Sequence, residues 1–236
     1  MLVTKNKIFN DKNVKYSAHY WDEVFTLLRR AVEDKRGSLP SVSIIAKESG
    51  NDPFAVLVST LISLRTKDEV TLAASRRLLA AAPDISTLAD LDTESIEKAI
   101  YPAGFYKRKA VQLKELAEKL RTDFRSQVPS TAQELLSLPG VGIKTANLTL
   151  NLGFGISAVC VDCHVHQIAN RTGWISTKTP EESVSALEAA MPEKYWISLN
   201  ELLVSFGQTI CLSSSPLCSQ CPLSDSCQKN GVRTHR

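Results

Sequence analysis

Four of the six cysteines crowd the C-terminal end of this 236-residue chain: Cys211, Cys218, Cys221 and Cys227, spaced C-x6-C-x2-C-x5-C. The segment between them, Leu212 to Ser226, is rich in Ser and Pro and too short to bury a core of its own. Such a loop becomes ordered by wrapping around something that thiolates bind tightly. Three arrangements suit these residue types: a [4Fe–4S] cluster, a structural Zn2+ and disulfides. Zinc ribbons usually present two separated C-x2-C knuckles. Here one x2 gap is flanked by longer gaps, which suit the larger cubane.

A second group with chemical potential is Leu138-Pro139-Gly140-Val141-Gly142-Ile143, followed by Lys144-Thr145-Ala146-Asn147-Leu148. Gly140 and Gly142 are expected to allow a tight hairpin with backbone angles that other residues resist. Backbone N–H groups of the hairpin, next to the start of a helix, form a phosphate cradle. That mode positions a duplex without reading its sequence. An ordinary αα-hairpin is the plainer alternative. Lys144 falls in the first turn of the following helix, where the partial positive charge of the helix end disfavours a cation. The same field favours the neutral amine, a nucleophile able to form a Schiff base. A phosphate-contacting or solvated lysine is the competing expectation.

The third group is Val161-Asp162-Cys163-His164-Val165-His166. Asp162 precedes an amphipathic run and suits a helix N-cap. Capping keeps a carboxylate ionised, so cap and catalytic group are compatible roles. His164-x-His166 is spaced like a metal pair, but on a helix that spacing splits the two between faces. Cys160-x-x-Cys163 has no thioredoxin-like context, and both cysteines are expected to be buried and unpaired.

The elements that must position these groups read as helices almost throughout, and the predicted fold class is all-α. Trp21, Val24, Phe25, Leu28 and Val32 mark one helical face. Asp52-Pro53 supplies an N-cap and a first-turn proline for a helix apolar nearly all round from Phe54 to Leu64. Ala110, Leu113, Leu116, Ala117, Leu120 and Phe124 form another stripe. Ser130 to Glu134 carries capping-box chemistry for a short helix, and Thr179-Pro180-Glu181-Glu182 is a capping box for a helix through Met191. A last long helix is expected from Glu193 to Thr209. Only Ser157 to Val161 looks extended.

Hydrophobic residues make up 43 % of the chain, enough for one or two domains with real cores. The sequence holds no apolar run long enough to span a membrane. The N-terminal run MLVTKNKIFNDKNVKY does not read as a secretory signal, and reduced thiolates fit a cytosolic compartment. The formal net charge of +3 does not argue for a nucleic-acid partner. Local clusters such as Lys107-Arg108-Lys109 and Arg29-Arg30 matter more.

Taken in order, L-P-G-V-G-I-K-T-A-N, V-D-C-H-V-H-Q-I-A-N-R and the cysteine loop resemble the endonuclease III family of DNA glycosylases over about residues 20–228. The resemblance implies a monomer of two helical domains flanking a DNA-binding cleft. One is a six-helix barrel over 46–156; the other joins 1–45 to 157–236 and holds a [4Fe–4S] cluster on the four cysteines. It implies Lys144 as nucleophile, Asp162 as its acid–base partner, and Gly140, Gly142 and Thr145 as hairpin contacts to DNA. Leu61 to Asp68 is similar to the family's segment that fills the space left by a flipped base, with Arg65 at its tip. Gly104 to Lys109 is similar to its wedge loop, with Phe105 inserting and Lys107 and Arg108 beside the backbone. The implied activity is excision of oxidised pyrimidines from damaged duplex DNA, coupled to β-elimination at the abasic site. The implied setting is the cytoplasm and nucleoid if the source is prokaryotic. A mismatch glycosylase for adenine, thymine or uracil and a non-catalytic iron–sulfur DNA-binding module are the alternatives. One departure stands out: Leu212-Ser213-Ser214-Ser215-Pro216-Leu217 carries no charge, where many relatives have a basic loop.

Overall fold

A computed structural model describes residues 16–35 and 39–236; the N-terminal run discussed above lies almost wholly outside them. The described residues form twelve α-helices and no strand. In chain order these are α1 (Ala18–Asp34), α2 (Ser41–Glu48), α3 (Pro53–Ser63), α4 (Asp68–Ala81), α5 (Ile85–Asp90) and α6 (Thr93–Ile100). They continue with α7 (Tyr106–Asp123), α8 (Ala132–Leu136), α9 (Ile143–Phe154), α10 (Cys163–Thr172), α11 (Pro180–Ala190) and α12 (Trp196–Thr209). The chain divides into two compact units: residues 39–160, and residues 161–236 together with the described part of 1–38.

The 39–160 unit is built around α3. Asp52 caps it through hydrogen bonds from the Phe54 and Ala55 N–H groups, and Pro53 occupies its first turn. Phe54, Leu57, Val58, Leu61 and Ile62 are all buried, as expected of a helix apolar on every side. α9, α4, α2 and α7 pack around it. The α7 stripe of Ala110, Leu113, Leu116, Ala117 and Leu120 faces the same core.

The expected extended stretch at 157–161 forms no strand. Its polar backbone is paired by two buried asparagines of α9 instead. The Asn151 amide both donates to Ala158 O (2.8 Å) and accepts from Ala158 N (2.9 Å), while Asn147 Nδ2 donates to Val159 O (2.9 Å). Two side chains thus do the work of a neighbouring strand, satisfying backbone groups that would otherwise be orphaned.

The other unit rests on an aromatic cluster. Trp21 stacks edge-on against Trp174 at 5.1 Å and donates from Nε1 to Ala190 O at 3.0 Å. Trp174 Nε1 donates to the Tyr20 hydroxyl at 2.7 Å, and Phe25 packs on Tyr195 at 4.4 Å. α12 contributes Leu199, Leu203 and Phe206 to the buried set and packs on α1 and α10. The long helix expected from Glu193 begins as a 3-10 turn over Glu193–Tyr195 before α12 proper. At α11 half of the capping box forms: Thr179 Oγ1 accepts from Glu182 N (3.2 Å), but the Glu182 carboxylate takes the Lys178 N–H (2.8 Å).

Candidate active site and cysteine pocket

The hairpin sits between α8 and α9. Thr131 caps α8, accepting from Glu134 N and donating to the Glu134 carboxylate at 2.6 Å. Gly140 has φ +74°, a conformation that glycine adopts without strain. Gly142 differs from expectation: its φ is −102° and its ψ −179°, ordinary extended backbone, and a Cβ there would meet nothing within 4 Å. Its role is exposure. Gly142 is the N-cap of α9 and supplies no side chain, whereas α8 and α10 on either side are capped by Thr131 and Asp162. Among the described residues, the N-cap of α9 therefore gives its first-turn N–H groups no side-chain cap, beside an exposed glycine.

Lys144 lies half-buried in that first turn. Its carbonyl accepts from Cys160 Sγ at 3.6 Å, which ties the base of the nucleophile candidate to the buried Cys160. Thr145, expected as a DNA contact, is buried at 1 % exposure, and its helical position faces the core. Asp162 occupies the N-cap of α10, as its sequence position suggests. His164 N and Val165 N each donate to its Oδ1 at 2.9 Å, so both capping bonds use one oxygen. Cys163, expected to be buried with Cys160, is exposed. The buried face of α10 is Val165, Ile168, Ala169 and Thr172, and Cys163 opens the helix on the opposite side. The His166 ring nitrogen meets Ser183 Oγ at 2.7 Å, a structural bond within its unit.

The two loops expected to enter DNA lie in the 39–160 unit. Arg65 and Phe105 each occupy the left-handed region, with φ of 55° and 58°. The Arg65 guanidinium lies over the Phe105 ring, 5.1 Å from its centroid. Phe105 is 60 % exposed, an uncommon position for so large an apolar side chain. Lys107 and Arg108 are exposed beside it. Lys109 breaks the expected basic cluster: it is only 6 % exposed, and burial pulls its pKa from 10.5 down to about 8.

The four C-terminal cysteines line one pocket together with Arg171, Ile210, Pro216 and Leu217. Burial raises the thiol pKa values of Cys211 and Cys227, and that of Cys221 to about 11. Four thiolates can share this space only if a cationic body neutralises them. Among the described residues, no three His, Cys, Asp or Glu side chains converge closely enough to hold a single metal ion. Four thiols lining one pocket are a donor set of the kind that holds a thiolate-bound metal centre.

Arg171, in the last turn of α10, escaped the sequence reading. Its side chain is 6 % exposed and donates to Leu212 O and Ser213 O (both 2.8 Å), to Cys211 O (3.4 Å) and to Cys211 Sγ (3.5 Å). Its carbonyl accepts from Cys227 Sγ (3.4 Å) and Asn230 N (3.1 Å), so one residue grips both ends of the cysteine loop. Arg171→Gln is expected to destabilise this unit by about 3 kcal/mol, because several buried carbonyls lose a charged donor together. Thermal melting checks it; an unchanged midpoint would remove Arg171 from this role.

The chain matches the family described as "HhH-GPD superfamily base excision DNA repair protein" over residues 58–193. It is 43 % identical over 177 residues to "Endonuclease III" of Thermotoga maritima, covering 75 % of this chain and 83 % of that protein. It is 38 % identical over 222 residues to "Endonuclease III homolog 2, chloroplastic" of Arabidopsis thaliana, covering 88 % of this chain but only 57 % of that one. Its fold is similar to that of a trapped endonuclease III–DNA covalent intermediate, with a TM-score of 0.75 at 25 % identity over 88 % of this chain and 95 % of the other. The chain belongs to the HhH-GPD superfamily of base excision DNA repair proteins and, within it, to the endonuclease III family.

Proposed function

We propose that this protein is a bifunctional DNA glycosylase and AP lyase that removes oxidised pyrimidines from duplex DNA. The observation that carries the reading is the placement of Lys144 in the first turn of α9, directly behind an exposed hairpin whose N–H groups have no side-chain cap. Phosphate oxygens of the DNA backbone complete that helix end and draw the adjacent nucleotide toward the lysine. An oxidised pyrimidine stacks and pairs weakly, so it leaves the helix at low cost. Arg65 fills the space it leaves, and Phe105 wedges into the opposite strand.

The neutral Lys144 amine attacks the sugar C1′ and displaces the base. Asp162 takes the amine proton through the carboxylate oxygen not used in capping, and its charge offsets the positive charge that develops on the sugar. The resulting Schiff base acidifies the C2′ proton, and β-elimination breaks the 3′ phosphodiester. Cys211, Cys218, Cys221 and Cys227 would hold a [4Fe–4S] cluster, which orders the C-terminal loop when bound.

Borohydride trapping tests this reading. A duplex containing thymine glycol and one containing a preformed abasic site should both yield a covalent adduct with the wild-type protein. Adduct on the abasic duplex alone would keep the lyase and move the lesion specificity elsewhere. No adduct on either would sink the bifunctional reading.

The uncharged 212–217 loop carries a second expectation. Each phosphate contact contributes about 0.9 to the slope of log affinity against log salt. The slope for this protein should be shallower by roughly one contact than for a relative with a basic loop. A side-by-side salt titration giving an equal or steeper slope would contradict that.

A further inference from the structure

Lys109 is a buried cation for which the proposed chemistry has no use. It stands in the first turn of α7, and its three ammonium protons have three acceptors: Ile62 O (2.6 Å), Leu64 O (2.6 Å) and Thr66 Oγ1 (2.8 Å). That is the full donor capacity of the group, so none is left for a phosphate. Two of the acceptors are carbonyls at the end of α3 that lack helical partners, and a cation suits a helix C-terminus. The third, Thr66, also accepts from Gly104 N at 3.1 Å. The Lys109 backbone N–H in turn donates to Phe105 O at 3.0 Å.

These bonds join two turns that are 40 residues apart in sequence. One presents Arg65 and the other presents Phe105, and both tip residues are held at positive φ. A Cβ on Gly104 would collide with Arg65 O, so the turns touch backbone to backbone. Left-handed backbone at a non-glycine residue persists only where its surroundings over-determine it. Lys109, through Thr66 and the two carbonyls, meets both surroundings at once.

We propose that Lys109 is a positioning residue for base extrusion: its ammonium pins the Arg65 turn to the Phe105 turn, so that the two side chains enter the duplex as one stacked piece. This rests on the glycosylase reading above. It predicts a selective defect. Extruding an intact base needs both tips in place, whereas an abasic site has no base to unstack.

The test compares wild type, Lys109→Met, Lys109→Arg and Thr66→Val in single-turnover assays on a thymine glycol duplex and on a preformed abasic duplex. 2-Aminopurine fluorescence beside the lesion reports unstacking. Lys109→Met should slow base excision by roughly 10- to 100-fold while abasic-site cleavage falls by less than about threefold, the scale expected for displaced positioning groups. Its fluorescence rise should shrink in parallel. Lys109→Arg should recover part of the loss, and Thr66→Val should shift the ratio in the same direction. Equal loss of both activities, or wild-type excision by folded Lys109→Met, overturns the proposal. If Lys109→Met does not fold, the activity ratio of Thr66→Val decides. Failure of the wild type on both duplexes would instead overturn the glycosylase reading itself.

Discussion

Lys144→Ala is expected to abolish trapping by borohydride on both duplexes and to lower strand cleavage by at least about 10⁴-fold, some 5.5 kcal/mol of lost transition-state stabilisation. The size follows from the covalent route: without the amine no Schiff base forms, the C2′ proton is not acidified, and elimination has no path. The fold should not suffer. Alanine is the best helix former, and Lys144 lies half-buried in the first turn of α9. Duplex binding should stay within about threefold, because phosphate contact is assigned to backbone N–H groups that the substitution leaves intact. Binding by filter or fluorescence anisotropy, run beside the cleavage assay, separates docking from chemistry. A variant that still cleaves at the wild-type rate would mean that another residue is the nucleophile.

Asp162→Asn should give the second largest effect, a fall in turnover of roughly 10²- to 10⁴-fold, the range for loss of a positioned acid–base group. The substitution separates the observed capping role of Asp162 from the acid–base role proposed for it. Its Oδ1 accepts from His164 N and Val165 N, and an asparagine carbonyl can accept the same bonds at nearly the same stability. Asn therefore removes the charge and the proton acceptor while keeping the α10 cap. Asp162→Ala removes both and should lose about 1 kcal/mol of stability in addition. Melting both variants and measuring both rates apportions the roles. Wild-type turnover in Asp162→Asn would leave Asp162 a cap and nothing more.

The two substitutions also illustrate why caps and chemistry coincide here. A helix N-terminus that is capped by a side chain fixes a carboxylate in place, as at Asp162. One that is left uncapped offers its N–H groups to an anion, as at Gly142. α9 and α10 carry one of each, separated by the short irregular stretch that Asn147 and Asn151 hold in place. Removing either asparagine's amide would release the backbone that connects the helix of Lys144 to the helix capped by Asp162.

Much was legible from local pattern. The buried face of α1, the all-apolar α3, the Asp52, Thr131, Asp162 and Thr179 caps, and the hairpin before Lys144 all depend on residues within a few positions of one another. Helical period and capping are short-range physics, so a linear reading reaches them. The cysteine spacing is of the same kind, because four thiols within one loop need little else to be brought together.

What a linear reading could not reach involves partners far apart in the chain. Lys109 looked like one third of a basic surface cluster, yet its partners are Ile62, Leu64 and Thr66, more than 40 residues away. Arg171 closes the V-D-C-H-V-H-Q-I-A-N-R run with no role visible in the sequence, yet it binds the loop some 40 residues on. Cys163 and Thr145 exchanged their expected exposures because the face a helix buries is set by which neighbours it meets. The extended stretch after α9 became irregular because two asparagine side chains, rather than a second strand, satisfied its backbone. In each case the residue type was visible beforehand and its partner was not, since burial and long-range hydrogen bonding are properties of the packed chain and not of any window along it.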